Sequence, residues 1–434
     1  MAEIVLGEAS SLDAKPYVLP LRQVFPVAVG NALEFYDFLT FSFFAVQIGH
    51  AFFPGGARSH GLLFALATFG VGFLMRPLGG LVIGRMGDRV GRKPAMIFAF
   101  ALMGAAVVMM ALIPPYARIG IAAPILLVIS RLVQGFALGG EVGPSTAYLI
   151  EAAPPHRRGL YVAIQSMTQD LAVLAAGIVG FALSSLLSPS ALDAWGWRLA
   201  FLLGAAVVPV GLALRRRLPE TLHSPEPLAA EGAVKAGTPS VRLLVLGFAL
   251  LAMAGVYFYG VDYMTTFAQD SLHMGASTAF GATMVIGLGS VIADPLSGLL
   301  TDRVGRKPVM LTAAVLVLAV LVPGYAAMIR VHSIAVIYGV TATLAILQAF
   351  LTGPVLITVT ESLPKASRST ALALLYAIAI SAFGGTTQFI IKALTDATGS
   401  ALAPAWYMTA ALAAGGVAML LIPESAPARL RRRS

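Results

Sequence analysis

Hydrophobic residues in this chain neither alternate with polar ones nor recur as a stripe; they come in long, nearly unbroken runs. Runs of roughly 20 apolar residues are what an α-helix needs to cross the hydrocarbon core of a bilayer. Six such spans are predicted at 23–48, 61–83, 94–113, 122–150, 159–184 and 198–214, and six more at 243–268, 277–300, 308–328, 334–360, 369–394 and 405–422. Several exceed the minimum, which predicts tilt or extension beyond the membrane. A dense polar knot, Gly84-Arg-Met-Gly-Asp88-Arg89-Val-Gly91-Arg92-Lys93, follows span 2. It recurs after span 8 as Gly298-Leu-Leu-Thr-Asp302-Arg303-Val-Gly305-Arg306-Lys307.

Two further pairs repeat in register. Glu151 with Arg158 follows span 4 as Glu361 with Arg368 follows span 10, and Glu220 closes span 6 as Glu424 closes span 12. Repetition at half the chain length marks an internal duplication. The predicted fold is an all-α integral membrane protein of twelve helices in two pseudo-symmetric six-helix bundles, with a site between them near mid-membrane. The expected divisions are a tail at 1–22, bundles at 23–214 and 243–422, a linker at 215–242 and a tail at 423–434.

Composition agrees with this picture. The chain is 58% hydrophobic and 11% charged, whereas soluble domains are roughly a quarter charged. The net charge of +9 does not call for nucleic acid, because of where it lies. Outside the spans, Lys and Arg crowd one alternate set of loops, leaving only Arg58, Arg118, Arg198 and Arg330 in the other. That asymmetry predicts cytoplasmic termini. The first twenty residues have no apolar core, so no cleaved signal peptide is expected. There is no cysteine, which excludes disulfides and thiolate chemistry. Neither metal-ligand spacing nor a phosphate-cradling Gly/Lys loop is present, so no enzyme, metal or cofactor is predicted. The energy source is then an ion or substrate gradient.

Ionisable residues inside spans are costly and normally face a cavity or a partner. They are Glu34 and Asp37 in span 1, Arg76 in span 2, Arg131 and Glu141 in span 4, Asp170 in span 5, Asp262 in span 7 and Asp294 in span 8. Asn31, Glu34 and Asp37 share a helical face over about 120°, and Arg131, Gln134 and Glu141 fall within about 80°. With Gln165 and Gln169 they describe one wall of a wet cavity. Tyr259 and Asp262 of span 7, with Thr387 and Gln388 of span 11, describe the opposite wall. The pair Asp37–Arg131 is the expected coupling device, since substrate or helix movement would change the charge balance that keeps the carboxylate ionised. Glu34 is the rival proton carrier, and a static ion pair that only fixes packing is the alternative. Arg76 could hold a substrate carboxylate bidentately. Lys392 is expected to snorkel toward the outer surface.

The doubled Gly-x-x-x-Asp-Arg-x-Gly-Arg-Lys motif resembles the signature of the major facilitator superfamily, over nearly the whole chain. Asn31 to Phe38, Met75-Arg76-Pro77, Arg131 to Gly135 and Trp195-Gly-Trp-Arg198 are similar to its metabolite–proton symporter branch, which includes citrate carriers. The resemblance implies uptake of a small organic acid such as citrate with protons, by alternating access, in a bacterial-type inner membrane, with the monomer as functional unit. It also implies a cytoplasmic gate of Gly84, Asp88, Arg89, Arg92, Glu151, Arg158, Glu220, Gly298, Asp302, Arg303, Arg306, Glu361, Arg368 and Glu424. Asp262 and Asp294 depart from the citrate carriers, and so many acids suit a trianion poorly. A proton-coupled exporter, a carrier of a zwitterionic or amphipathic metabolite, and a non-transporting sensor remain the alternatives.

Overall fold

The computed structural model describes residues 21–54, 58–139, 146, 149–150, 153–154, 156–216, 240–364 and 368–426. Among them there is helix and no strand, and helix makes up most of the described part of every predicted span. Spans 3, 5 and 6 are Arg92–Leu112, Arg158–Leu186 and Trp197–Arg216. Spans 8, 9, 10 and 12 are Ala276–Val304, Arg306–Val331, Ile334–Ser362 and Ala403–Leu421. Span 4 runs Ala122–Leu138 before the described residues thin out.

Four spans are interrupted. Span 1 is Leu21–Phe43 resumed as Ala45–Phe52, and span 7 is Val241–Asp262 resumed as Met264–Asp270. Span 2 breaks at Met75 between Arg58–Leu74 and Arg76–Arg89. The cause is Pro77, near the start of the second piece, which cannot donate the next backbone hydrogen bond. Span 11 passes from Arg368–Ala379 through a π turn, Ile380–Gly384, to Thr387–Thr398. Large apolar side chains such as Leu74, Leu186, Val315 and Trp406 remain exposed around the outside. In a membrane these meet lipid, while helices satisfy their own backbone groups.

Two glycine seams join the first six spans to the last six. Span 5 lies antiparallel to span 8, with Gly159 against Gly298, Leu174 against Gly287, and Gly177 against Thr283 and Met284. Span 2 meets span 11 where Gly70 lies on the Gly385 carbonyl and Ser381 Oγ donates to the Phe73 carbonyl at 2.7 Å. Small residues let membrane helices approach this closely. At the repeated knots, Gly91 (φ 129°) and Gly305 (φ 111°) make the turns into spans 3 and 9, a conformation open to glycine at no steric cost. Gly84, by contrast, is exposed with nothing within 4 Å of where a Cβ would stand. Of the two first glycines of the repeated motif, Gly298 alone stands against another backbone.

Candidate functional site

The central site begins with a third glycine seam. Gly135 of span 4 lies on the backbone of Gly72 in span 2, Gly79 on the carbonyl of Phe136, and Gly139 on that of Arg76. With backbones touching, Arg76 and Arg131 are brought to the same aromatic ring. Their guanidinium carbons lie 4.6 and 4.3 Å from the Phe38 centroid. Arg76 also stacks on Phe73 at 4.1 Å, and Arg131 on Phe41 at 4.6 Å. Both arginines are buried, at 3% and 0% exposure. Arg131 Nη1 donates to Gln134 Oε1 at 2.5 Å.

The remaining donors are unspent. Nε and Nη2 of Arg76 and of Arg131 have no hydrogen-bond partner, and no described Asp or Glu forms an ion pair with either residue. A buried charge without a counter-ion is strongly unfavourable, and planar guanidinium forks match carboxylates bidentately. Two such cations on one ring present a pair of forks of the geometry that carboxylates match.

Asp37 does not supply the counter-charge, so the expected Asp37–Arg131 pair is corrected. Successive residues on a helix point about 100° apart, and it is Phe38 that faces the arginines. Asp37 turns instead to span 6, where it packs on Gly204 with Oδ1 unpartnered. Next to it, Tyr36 donates to the Ala200 carbonyl at 3.0 Å. Glu34 is buried on the same helix.

A cavity of about 70 Å³ is lined by Gln169, Asp170, Tyr259 and Tyr376 among others. That is room for a few water molecules. Other predicted contact residues tie helices together. Asn31 Nδ2 donates to Thr168 Oγ1 at 2.9 Å, and Gln165 Oε1 accepts from Thr146 at 3.0 Å. Gln388 accepts from Ser42 at 2.7 Å and donates to the Tyr259 carbonyl, while Thr387 bonds back to Phe383. Asp262 is buried with both carboxyl oxygens unpartnered. Lys392 does not snorkel. It is 3% exposed and bridges Asp270 at 3.0 Å and Asp396 at 2.6 Å, because spans 7 and 11 bring carboxylates to it there.

At the end carrying the repeated knots, Asp302 accepts the backbone amides of Gly159 and Leu160 at 2.8 and 3.0 Å, across the seam. Glu424 likewise accepts those of Arg306 and Lys307, both at 3.0 Å. These are carboxylates at helix starts, where free N–H groups and the helix dipole favour an anion. The expected Glu361–Arg368 pair is replaced by a two-pronged contact of Glu361 with Arg306, each bond 3.2 Å, and by Arg158 at 3.6 Å. The helix start of span 9 places Arg306 between Asp302 and Glu361, whereas Arg368 donates to the Leu363 carbonyl. Arg89 and Arg303 are exposed. The side chains of Asp88 and Arg92, and residues Glu141, Glu151 and Glu220, lie outside the described residues. At the opposite end, Gln47 donates to Gln269 at 3.0 Å and Phe44 packs on Phe280. Contacts therefore join the two halves at both ends.

Sequence reasoning missed the aromatic platform of Phe38, Phe41, Phe69 and Phe73 and the seam that assembles the arginines. The signal was present in Gly72, Gly79, Gly135 and Gly139.

Twelve spans around a central cavity, with charges turned inward, define a polytopic membrane transporter. The chain belongs to the sugar (and other) transporter family of the major facilitator superfamily, matching it over residues 23–224 and 234–432. It is 35% identical to a citrate-proton symporter of Klebsiella pneumoniae over 90% of this chain and 88% of that one. An ectoine/proline transporter of Corynebacterium glutamicum is 31% identical, over 94% of this chain and 86% of the relative. Among solved structures, a D-xylose-proton symporter superposes with a TM-score of 0.75 at 19% identity, covering 94% of this chain and 98% of that one. That likeness concerns the fold.

Proposed function

We propose that the protein is a proton-coupled symporter that takes up a small organic acid, a di- or tricarboxylate such as citrate, across a bacterial inner membrane. The observation that carries this reading is the pair of buried guanidiniums on Phe38 with four unpartnered nitrogens. An incoming carboxylate supplies the counter-charge that no described Asp or Glu provides. Similarity to a citrate-proton symporter supports the same substrate class. Asp37 and Glu34 are the proton carriers of span 1; a proton there and an anion on the arginines together reduce the charge enclosed when the carrier closes. The knot end faces the cytoplasm, and the two halves rock about the cavity within a single chain. A zwitterionic substrate is the second reading. Asp170 and two tyrosines share the cavity and could hold a cationic group, and an ectoine/proline transporter is also a relative.

The test is a proteoliposome screen of di- and tricarboxylates, betaines and aromatic acids under an imposed pH gradient. Tricarboxylate or dicarboxylate addition outside should drive proton uptake, and raising the external pH should slow it. Arg76→Lys and Arg131→Lys should each weaken substrate binding at least about tenfold, since an ammonium cannot reproduce the planar fork. Wild-type affinity in both variants would sink the anion site.

A further inference from the structure

The break in span 2 and the π turn in span 11 meet at one atom. Pro77 has no N–H, so the carbonyl four residues before it, that of Phe73, loses its partner in the helix. The hydroxyl of Ser381 takes the vacant place, donating to that carbonyl at 2.7 Å. Serine and threonine hydroxyls inside helices commonly bond back to their own backbone, and the neighbours of Ser381 do so. Thr386 donates to the Ala382 carbonyl at 2.7 Å and Thr387 to that of Phe383 at 2.6 Å. Ser381, 7% exposed, reaches instead from the last six spans to the first six.

Phe73 is held from the second half on its other sides as well. Its ring packs on Gly385, leaving no room there for a Cβ, and meets the Tyr259 ring nearly at right angles with centroids 5.2 Å apart. On the Phe73 ring rests the Arg76 guanidinium, at 4.1 Å. Spans 7 and 11 therefore fix a residue that in turn fixes an arginine of the first half. Ser381 itself lies in the π turn, Ile380–Gly384, which the Gly385 amide closes on the Ile380 carbonyl at 2.8 Å. Such turns recur at functional sites.

We infer that Ser381 is a positioning residue: it supplies the hydrogen bond that Pro77 cannot, and so completes the Arg76 side of the anion site only while spans 2 and 11 are docked. The two ends of this bond fare differently when docking is lost. Ser381 can fold back onto the Ala377 carbonyl, as its neighbours do onto theirs. The Phe73 carbonyl cannot recover a donor from Pro77 and must be met by water. Parting the seam therefore wets the backbone beside Arg76. Docking that sets Arg76 strengthens its hold on an anion, and by linkage a bound anion favours docking.

This inference rests on the reading that Arg76 holds substrate, but two of its tests need none. In protein isotope-labelled at the phenylalanine carbonyl and the leucine nitrogen, solid-state NMR selects Phe–Leu peptides, Phe73–Leu74 among them. Ser381→Ala should move the Phe73 carbonyl resonance toward that of a weaker hydrogen bond; an unmoved resonance overturns the inference. Melting supplies a double-mutant cycle. Ser381→Ala should lower the melting temperature of the natural chain but not of Pro77→Ala, whose new N–H serves Phe73 from within span 2. An equal drop in both backgrounds, or none in the natural one, overturns it too. Should Pro77→Ala fail to fold, the resonance alone decides.

The third test is binding of citrate to the protein in liposomes. Ser381→Ala should weaken it roughly two- to tenfold, the effect of losing one neutral hydrogen bond, and Ser381→Thr, which keeps the hydroxyl, should restore it. Unchanged affinity in Ser381→Ala, with the resonance moved, would overturn the positioning role. If no carboxylate binds the wild type, the anion reading falls and the role in binding with it. Resonance and melting would still decide whether Ser381 stands in for the donor that Pro77 lacks.

Discussion

At the scale of single residues, the informative fact is which neighbour each buried charge does not have. Asp37→Asn should abolish uphill uptake while leaving substrate exchange, measured as counterflow with no pH gradient; concentrative uptake at wild-type rate would remove Asp37 from proton coupling. That Arg76, Arg131 and Asp37 lie inside spans was legible in the sequence, because a charge in an apolar run stands out by cost alone. Their partners were not legible. A helical face is known only to within an arc, and rotation by one residue exchanges Asp37 for Phe38. The placement of Lys392 was hidden for the same reason, since Asp270 belongs to another span and comes within 3.0 Å only through packing.

At the scale of elements, span length predicted where helices run, and the structure places helix in each described segment. The interruptions at Met75, Tyr263 and Ile380–Gly384 did not show in hydropathy, which is blind to a slipped backbone hydrogen bond. Seams follow the same division: glycines are visible in the sequence, but their opposite numbers are not. Gly135→Val should overpack the Gly72 backbone, cost about 1–3 kcal/mol or more and lower the melting temperature along with substrate affinity. Gly84→Ala, in an exposed helical position with open space, should leave melting unchanged or raise it slightly. A melting temperature for Gly135→Val equal to that of the wild type would show that the seam does not assemble the arginines.

At the scale of the whole molecule, the two closures can be trapped separately. The natural chain has no cysteine, so Gln47→Cys with Gln269→Cys provides the only thiols, and bridging them should halt transport until reduction restores it. Transport persisting across a complete bridge would mean that this end need not open. The closures also differ in kind. One end is fastened by Asp302 on two amides and by Glu361 near Arg158, all involving charge. The other is fastened across the halves by neutral contacts, Gln47 to Gln269 and Ser42 to Gln388. Hydrogen bonds to charged groups contribute about 1.5–3 kcal/mol and neutral ones about 0.5–1.5. An empty carrier built this way would be a door hung to rest ajar on the side away from the knots: the unequal strength of two latches sets where it waits, while the gradients alone set the net direction of traffic.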